Sequence, residues 1–136
     1  MQQSATVARL EAELALAASD PPLLLRGGAV DMLPDAVARM PTDAPAVVIT
    51  TWALSGLAPA DRLRFRQRFD ALGTERPVVW VSAEGVGVAP GIPTLGDRRA
   101  SGRSLVGLAV FDRSGMRAGA VGRCWSQGRL MSWLAA

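Results

Sequence analysis

Residues 46–83 write out a strand, a helix and a second strand, a unit that chain geometry joins in essentially one way. "AVVITTW" at 46–52 is uncharged and rich in β-branched residues, which suit a pleated, buried surface. "PADRLRFRQRFDALG" at 59–73 opens on proline and carries glycine at its end, the punctuation of a helix. "PVVWVSA" at 77–83 is the following strand. Two strands joined through a helix in one sheet run parallel, with a right-handed crossover. On the helix, Phe65, Phe69 and Leu72 form one stripe, bordered by Arg62 and Arg66 on one side and Arg64 and Arg68 on the other. The stripe is expected to pack on the sheet while the arginine stems lie along its margins. Arginines divided between two edges, not gathered on one face, argue against a nucleic-acid surface.

The flanking segments extend this unit. Val7, Leu10, Leu14 and Ala17 recur at helical spacing within residues 4–18 and predict an amphipathic helix. Pro21 and Pro22 end it, and Leu23–Leu25 reads as a short strand covered on both faces. After the turn at Arg26–Ala29, Leu33, Val37 and Met40 predict a second helix with Pro34 in its first turn, where proline is tolerated. Glu84–Arg103 is expected to be a long mobile lid. Gly85 and Gly87 have G-x-G spacing, but Pro90 stands where the third glycine of a phosphate cradle belongs and no helix pattern follows. Residues 104–112 and 117–125 read as a hairpin, and 129–134 as a last short strand. The expected architecture is one α/β domain over residues 1–136. It has three layers, with parallel strands at 22–26, 46–52 and 77–83 followed by the antiparallel hairpin.

Composition removes whole classes of chemistry. The 136 residues include no histidine, no lysine and one cysteine, Cys124. Histidine-based triads, zinc sites and Schiff bases within one chain are excluded. Cys124 reads as a buried strand residue. Fifteen arginines against twelve acids give a formal charge of +3, which permits an anionic partner without requiring one. Charges at Arg9, Glu11 and Glu13 interrupt any signal-peptide core. The longest uncharged stretch, Ala44–Ala60, contains Pro45 and Pro59 and is too short for a membrane span. The expected compartment is the cytoplasm, with no membrane partner.

In open sheets of this kind, ligands sit outside the carboxyl ends of the parallel strands. Those ends are Arg26–Ala29, Thr50–Trp52 and Ser82–Glu84, which define the candidate cleft. Glu84, just past a strand and beside the long loop, is the candidate general base or substrate-orienting carboxylate.

The order helix, strand, helix, strand, helix, strand, antiparallel hairpin resembles the second half of class I S-adenosylmethionine-dependent methyltransferases. "VARLEAELALAASDPPLLLRGGAVDMLPDAV", "VVITTWALSGL" and "RPVVWVSAEGVGV" resemble the C-terminal part of domain-of-unknown-function family 2332, which covers nearly the whole chain. The resemblance implies a Rossmann-like partial sheet and S-adenosylmethionine as cofactor. Gly27, Gly28, Ala29, Thr50, Thr51 and Trp52 would then face the cofactor, with Trp52 stacking on adenine. It also implies that the glycine-rich first turn of the complete fold lies upstream of this chain. Two departures weaken the cofactor site. Gly28 stands where the related pattern has an adenine-binding acid, with Asp31 three residues on, and Gln127 stands where relatives carry histidine before glycine.

Three readings follow. The first is a truncated or degenerate methyltransferase-like domain that has no catalysis of its own and acts by self-association or through a partner. The second is an enzyme half that binds S-adenosylmethionine once another chain completes it. The third is an arginine-mediated polyanion binder. The complete fold has two central strands between those equivalent to 22–26 and 46–52. Without them, either 22–26 moves in beside 46–52 or two chains pair there, and a homodimer is expected in both cases.

Overall fold

The computed structural model describes residues 2–125 and 128–134. Three helices, α1 (Gln2–Ser19), α2 (Ala29–Ala38) and α3 (Pro59–Glu75), accompany five strands: β1 (Ala46–Thr51), β2 (Val78–Gly85), β3 (Arg103–Asp112), β4 (Gly115–Trp125) and β5 (Leu130–Trp133). The strands form one open sheet in the order β1-β2-β3-β4-β5. β1 and β2 are parallel, with Thr50 beside Ser82, and every later pair is antiparallel. The α/β sheet that runs parallel and then antiparallel is thus present, with a single parallel pair.

That pair is joined by α3, as its sequence requires. Phe65 and Phe69 are buried against Trp80 of β2, and the Phe69 ring stacks on both Trp80 and Phe111 at centroid distances of 5.2 and 5.0 Å. Gly73 allows the approach: a Cβ there would lie 2.9 Å from the backbone carbon of Phe111. Val30, Leu33 and Val37 of α2 join the same core. The flanking arginines act as braces. Arg62 donates to the carbonyls of Leu54, Ser55 and Leu57, and Arg76 donates to those of Met40, Pro41 and Ala44.

Four expectations are corrected. Residues 22–26 form no strand, and Leu23 and Leu24 are exposed. Pro21 and Pro22 precede the three leucines, and the outer edge of β1, where a further strand could add, carries none among the described residues. Pro34 lies in the interior of α2, because the helix starts at Ala29 on the Gly28 carbonyl. The segment after β2 is no free lid: Val86, Ala89 and Ile92 are buried, and Ala89 and Ile92 belong to the core under α3. The third layer is also missing among the described residues, because α2 and α3 cover one face and no residue of α1 is buried. The opposite, far face exposes Val47, Ile49 and Leu108, at 43%, 67% and 39% of their full surface.

Candidate functional site

The carboxyl ends of β1 and β2 lie side by side, and the backbone N–H of Trp52 extends their ladder by donating to the Ala83 carbonyl at 2.9 Å. The chain then turns sharply. Trp52 has φ of 48°, a left-handed conformation that strains a bulky side chain. Its indole N–H donates to Ser104 Oγ at 2.8 Å, which fixes the ring while leaving 40% of the residue exposed. Beyond it the chain makes a single 3-10 turn at Leu54–Gly56.

Glu84 reaches under this turn. It is 1% exposed, and its Oε1 accepts from the backbone N–H groups of Ala53 and Leu54 at 3.2 and 3.3 Å. The carboxylate thereby satisfies two donors that the turn leaves unpaired, a capping role supplied from a neighbouring strand. Its Oε2 and the hydroxyl of Ser82 are buried without a protein partner. Glu84 also lines a cavity of about 10 Å³ with Gly85, Gly87, Ala89, Ile92 and Leu105, which is room for about one water and no substrate. As a general base it has no approach for a reacting molecule in this conformation.

The other candidate residues divide. Thr50 is buried, and its hydroxyl accepts from the Trp80 indole at 3.0 Å, so it points into the core. Thr51 is exposed on the far face. Gly27, Gly28 and Ala29 serve the start of α2: the Gly28 carbonyl accepts from Asp31 and Met32, and Gly27 has φ of 147° with no room for a Cβ against Met32. Asp31 faces Arg64 and Arg68 of α3 at 3.8 and 3.9 Å. Among the described residues no hydrogen bond joins the 27–29 turn to Thr50–Trp52 or Glu84. The structure therefore brings Thr50–Trp52 and Glu84 together and leaves the glycine turn attached to the helices. Gln127 lies outside the described residues.

One polar centre escaped the sequence reading. Asp97, from the segment after β2, receives Arg123 Nε at 2.8 Å and faces Arg103, whose guanidinium also lies over the Trp125 ring. The hydrogen bond from Arg123 holds the Asp97 carboxyl below the usual range. Asp112 is likewise depressed, first by Arg117 and then by Ser114. An acid in a glycine-rich stretch, 26 residues from its partner, carries no local signal. Cys124 is buried as expected, and burial raises its thiol pKa.

An open α/β sheet that switches once from parallel to antiparallel defines the class. Within it the chain belongs to the family described as uncharacterized protein conserved in bacteria (DUF2332), which matches residues 2–133. No curated protein and no solved structure matches it. Among the described residues no helix is long and apolar enough to cross a membrane, and no cluster of acids and cysteine has the makings of a metal site.

Proposed function

We propose that the chain is a methyltransferase-like association domain, without catalysis of its own, that works by pairing into a homodimer. The observation that carries this reading is the apolar far face of the sheet, where Val47 and Ile49 of β1 and Leu108 of β3 stand exposed on either side of β2. Contiguous apolar surface of this kind marks association sites. The engagement of the reactive groups adds support: Glu84 and Thr50 are committed to internal hydrogen bonds. Light scattering behind a sizing column is expected to give twice the 14.3 kDa of one chain. A monodisperse monomer at micromolar concentration would sink the reading.

Trp52 favours the second reading, an S-adenosylmethionine-binding half, because a strained, half-open tryptophan at the end of a parallel pair is a ligand-facing feature. Against it stands Gly28, which offers no acid to adenine. Calorimetry at millimolar S-adenosylmethionine or S-adenosylhomocysteine is expected to record no binding. Saturable binding weakened by Trp52→Ala or Thr51→Val would replace the first reading with this one. The polyanion reading draws less support, since Arg62 and Arg76 are tied to carbonyls and Arg64, Arg117 and Arg123 to carboxylates.

A further inference from the structure

We infer that residues 86–92 fill, on the helix-covered face of the sheet, a binding site for a small zwitterion, a molecule with an ammonium at one end and a carboxylate at the other. Among the described residues, three buried side-chain atoms have no hydrogen-bond partner: Glu84 Oε2, Ser82 Oγ and Arg66 Nε. All three abut this one segment. Glu84 shares its small cavity with Gly87, Ala89 and Ile92. Ser82 pairs with Gly107, and a Cβ on Gly107 would lie 2.7 Å from both Ser82 Oγ and Ile92 Cγ2, so the isoleucine fills the space beside the hydroxyl. A Cβ on Gly91 would lie 3.8 Å from Arg66 Nε. A few orphaned polar atoms are usual in a folded chain, and each has a cause. Here an acid, a hydroxyl and a cation are orphaned in one place, under one segment.

That segment is seated without being tied. Val86, Ala89 and Ile92 are buried, but among the described residues its hydrogen bonds are local, from the Val88 N–H to the Gly85 carbonyl and from the Ile92 N–H to the Ala89 carbonyl. Apolar contact alone holds it against the sheet. Gly87 and Gly91, with φ of 76° and 87°, supply pivots at which the backbone can turn. The free chain is closed, and the ligand selects the open state. Its apparent affinity is lowered by the fraction of chains that are open.

The positions of the orphaned atoms set the class of ligand. Glu84 Oε1 is engaged by the Ala53 and Leu54 amides, which leaves Oε2 and Ser82 Oγ as two acceptors for an ammonium. Arg66 holds Asp70 with Nη1 at 3.3 Å, while its Nη2 has the Met116 sulfur at 3.3 Å, a weak acceptor. A carboxylate would take Nε and Nη2 together as a fork. Gly91 stands by the cation and Ile92 by the acid, and neighbouring Cα atoms are about 3.8 Å apart, so the two charges are separated by roughly 10 Å. A charge-assisted hydrogen bond of about 2.8 Å at each end leaves roughly 4–5 Å between the ligand's own charges. That is the span of a short ω-amino acid.

The probe is 4-aminobutyrate, titrated by calorimetry into the full chain at millimolar concentrations, with butyrate and butylamine as single-ended controls. Saturable binding is expected for the zwitterion, at least about tenfold tighter than for either control, and weakened about tenfold or more by Glu84→Gln and by Arg66→Gln. Binding should also speed hydrogen exchange at the amides of Val88 and Ile92, whose hydrogen bonds are lost on opening, while the strands gain protection. In a Cys124→Ala background, Ile92→Cys with Gly107→Cys should close a disulfide that locks the segment down. The oxidised form is expected to lose binding and to regain it on reduction. Equal binding by the locked form, or slower exchange at Val88 and Ile92 in the presence of the probe, would overturn the inference. So would no binding, or binding no tighter than that of the controls, which would leave the orphaned atoms to buried water. None of these readouts depends on oligomeric state: failure here leaves the association reading standing, and a monomeric chain leaves this inference standing.

Discussion

Glu84 shows how a residue can stand out in a sequence while its hydrogen-bond partners do not. The expected position, just past a parallel strand, is where an open sheet keeps its catalytic acids; the structure places Glu84 within β2, paired with Leu105. What the sequence does not contain is the partner: the amides of Ala53 and Leu54, thirty residues earlier, which converge on Oε1. Glu84→Ala leaves both donors buried and unpaired and is expected to cost about 2–3 kcal/mol, read as a lower urea midpoint at unchanged slope. Glu84→Gln keeps an acceptor oxygen and should cost less. The acids missed by the sequence reading give a second expectation. Asp97 and Asp112 have carboxyls depressed in the folded state by Arg123 and Arg117, below the roughly 3.9 of an unfolded aspartate. Their contribution is complete above about pH 5 and is lost as pH falls through the folded values. Thermal melts should therefore hold steady from neutral pH to about 5 and decline below 4, and Asp112→Asn should flatten part of that decline.

Elements were legible where their own periodicity decided them. β1, α3, β2 and the β3–β4 hairpin fall within a residue or two of their expected limits, because a β-branched run, a two-sided helix and alternating strands each bury one defined face. Leu23–Leu25 failed because an apolar run does not say what it will meet: the edge of β1 stays unpaired, and Leu23 and Leu25 line a depression at the end of α2. The segment after β2 failed for the opposite reason: its glycines and prolines suggested mobility, while three small apolar residues, Val86, Ala89 and Ile92, sufficed to seat it. The α3–β3 contact supplies a sharp prediction at this scale. A Cβ on Gly73 meets the Phe111 backbone, which cannot rotate away as a side chain would. Gly73→Ala should therefore destabilise by about 1–3 kcal/mol despite the better helix propensity of alanine, as thermal melting will show. If Gly73→Ala were neutral or stabilising, the close packing of α3 on β3 would be refuted.

At the scale of the whole molecule the fold is lopsided. One face of the sheet carries two helices and an aromatic core, while the other presents valine, isoleucine and leucine to solvent. Sequence patterning anticipated helices on both faces and supplied α1 with an apolar stripe, yet no residue of α1 is buried in the structure. If the far face is covered by a second copy, folding and association are linked, and stability depends on protein concentration. Each tenfold rise in concentration adds about 1.4 kcal/mol per dimer, or roughly 0.7 kcal/mol per chain. For a domain of this size that moves the midpoint by about 3 °C. Scanning calorimetry over a hundredfold range of concentration should thus raise the melting temperature by about 6 °C in the wild type and leave Ile49→Glu, on the far face, unmoved at its lower value. A wild-type midpoint independent of concentration would mean that the apolar face is tolerated in water by a single chain, and the association reading would fall on thermodynamic grounds alone.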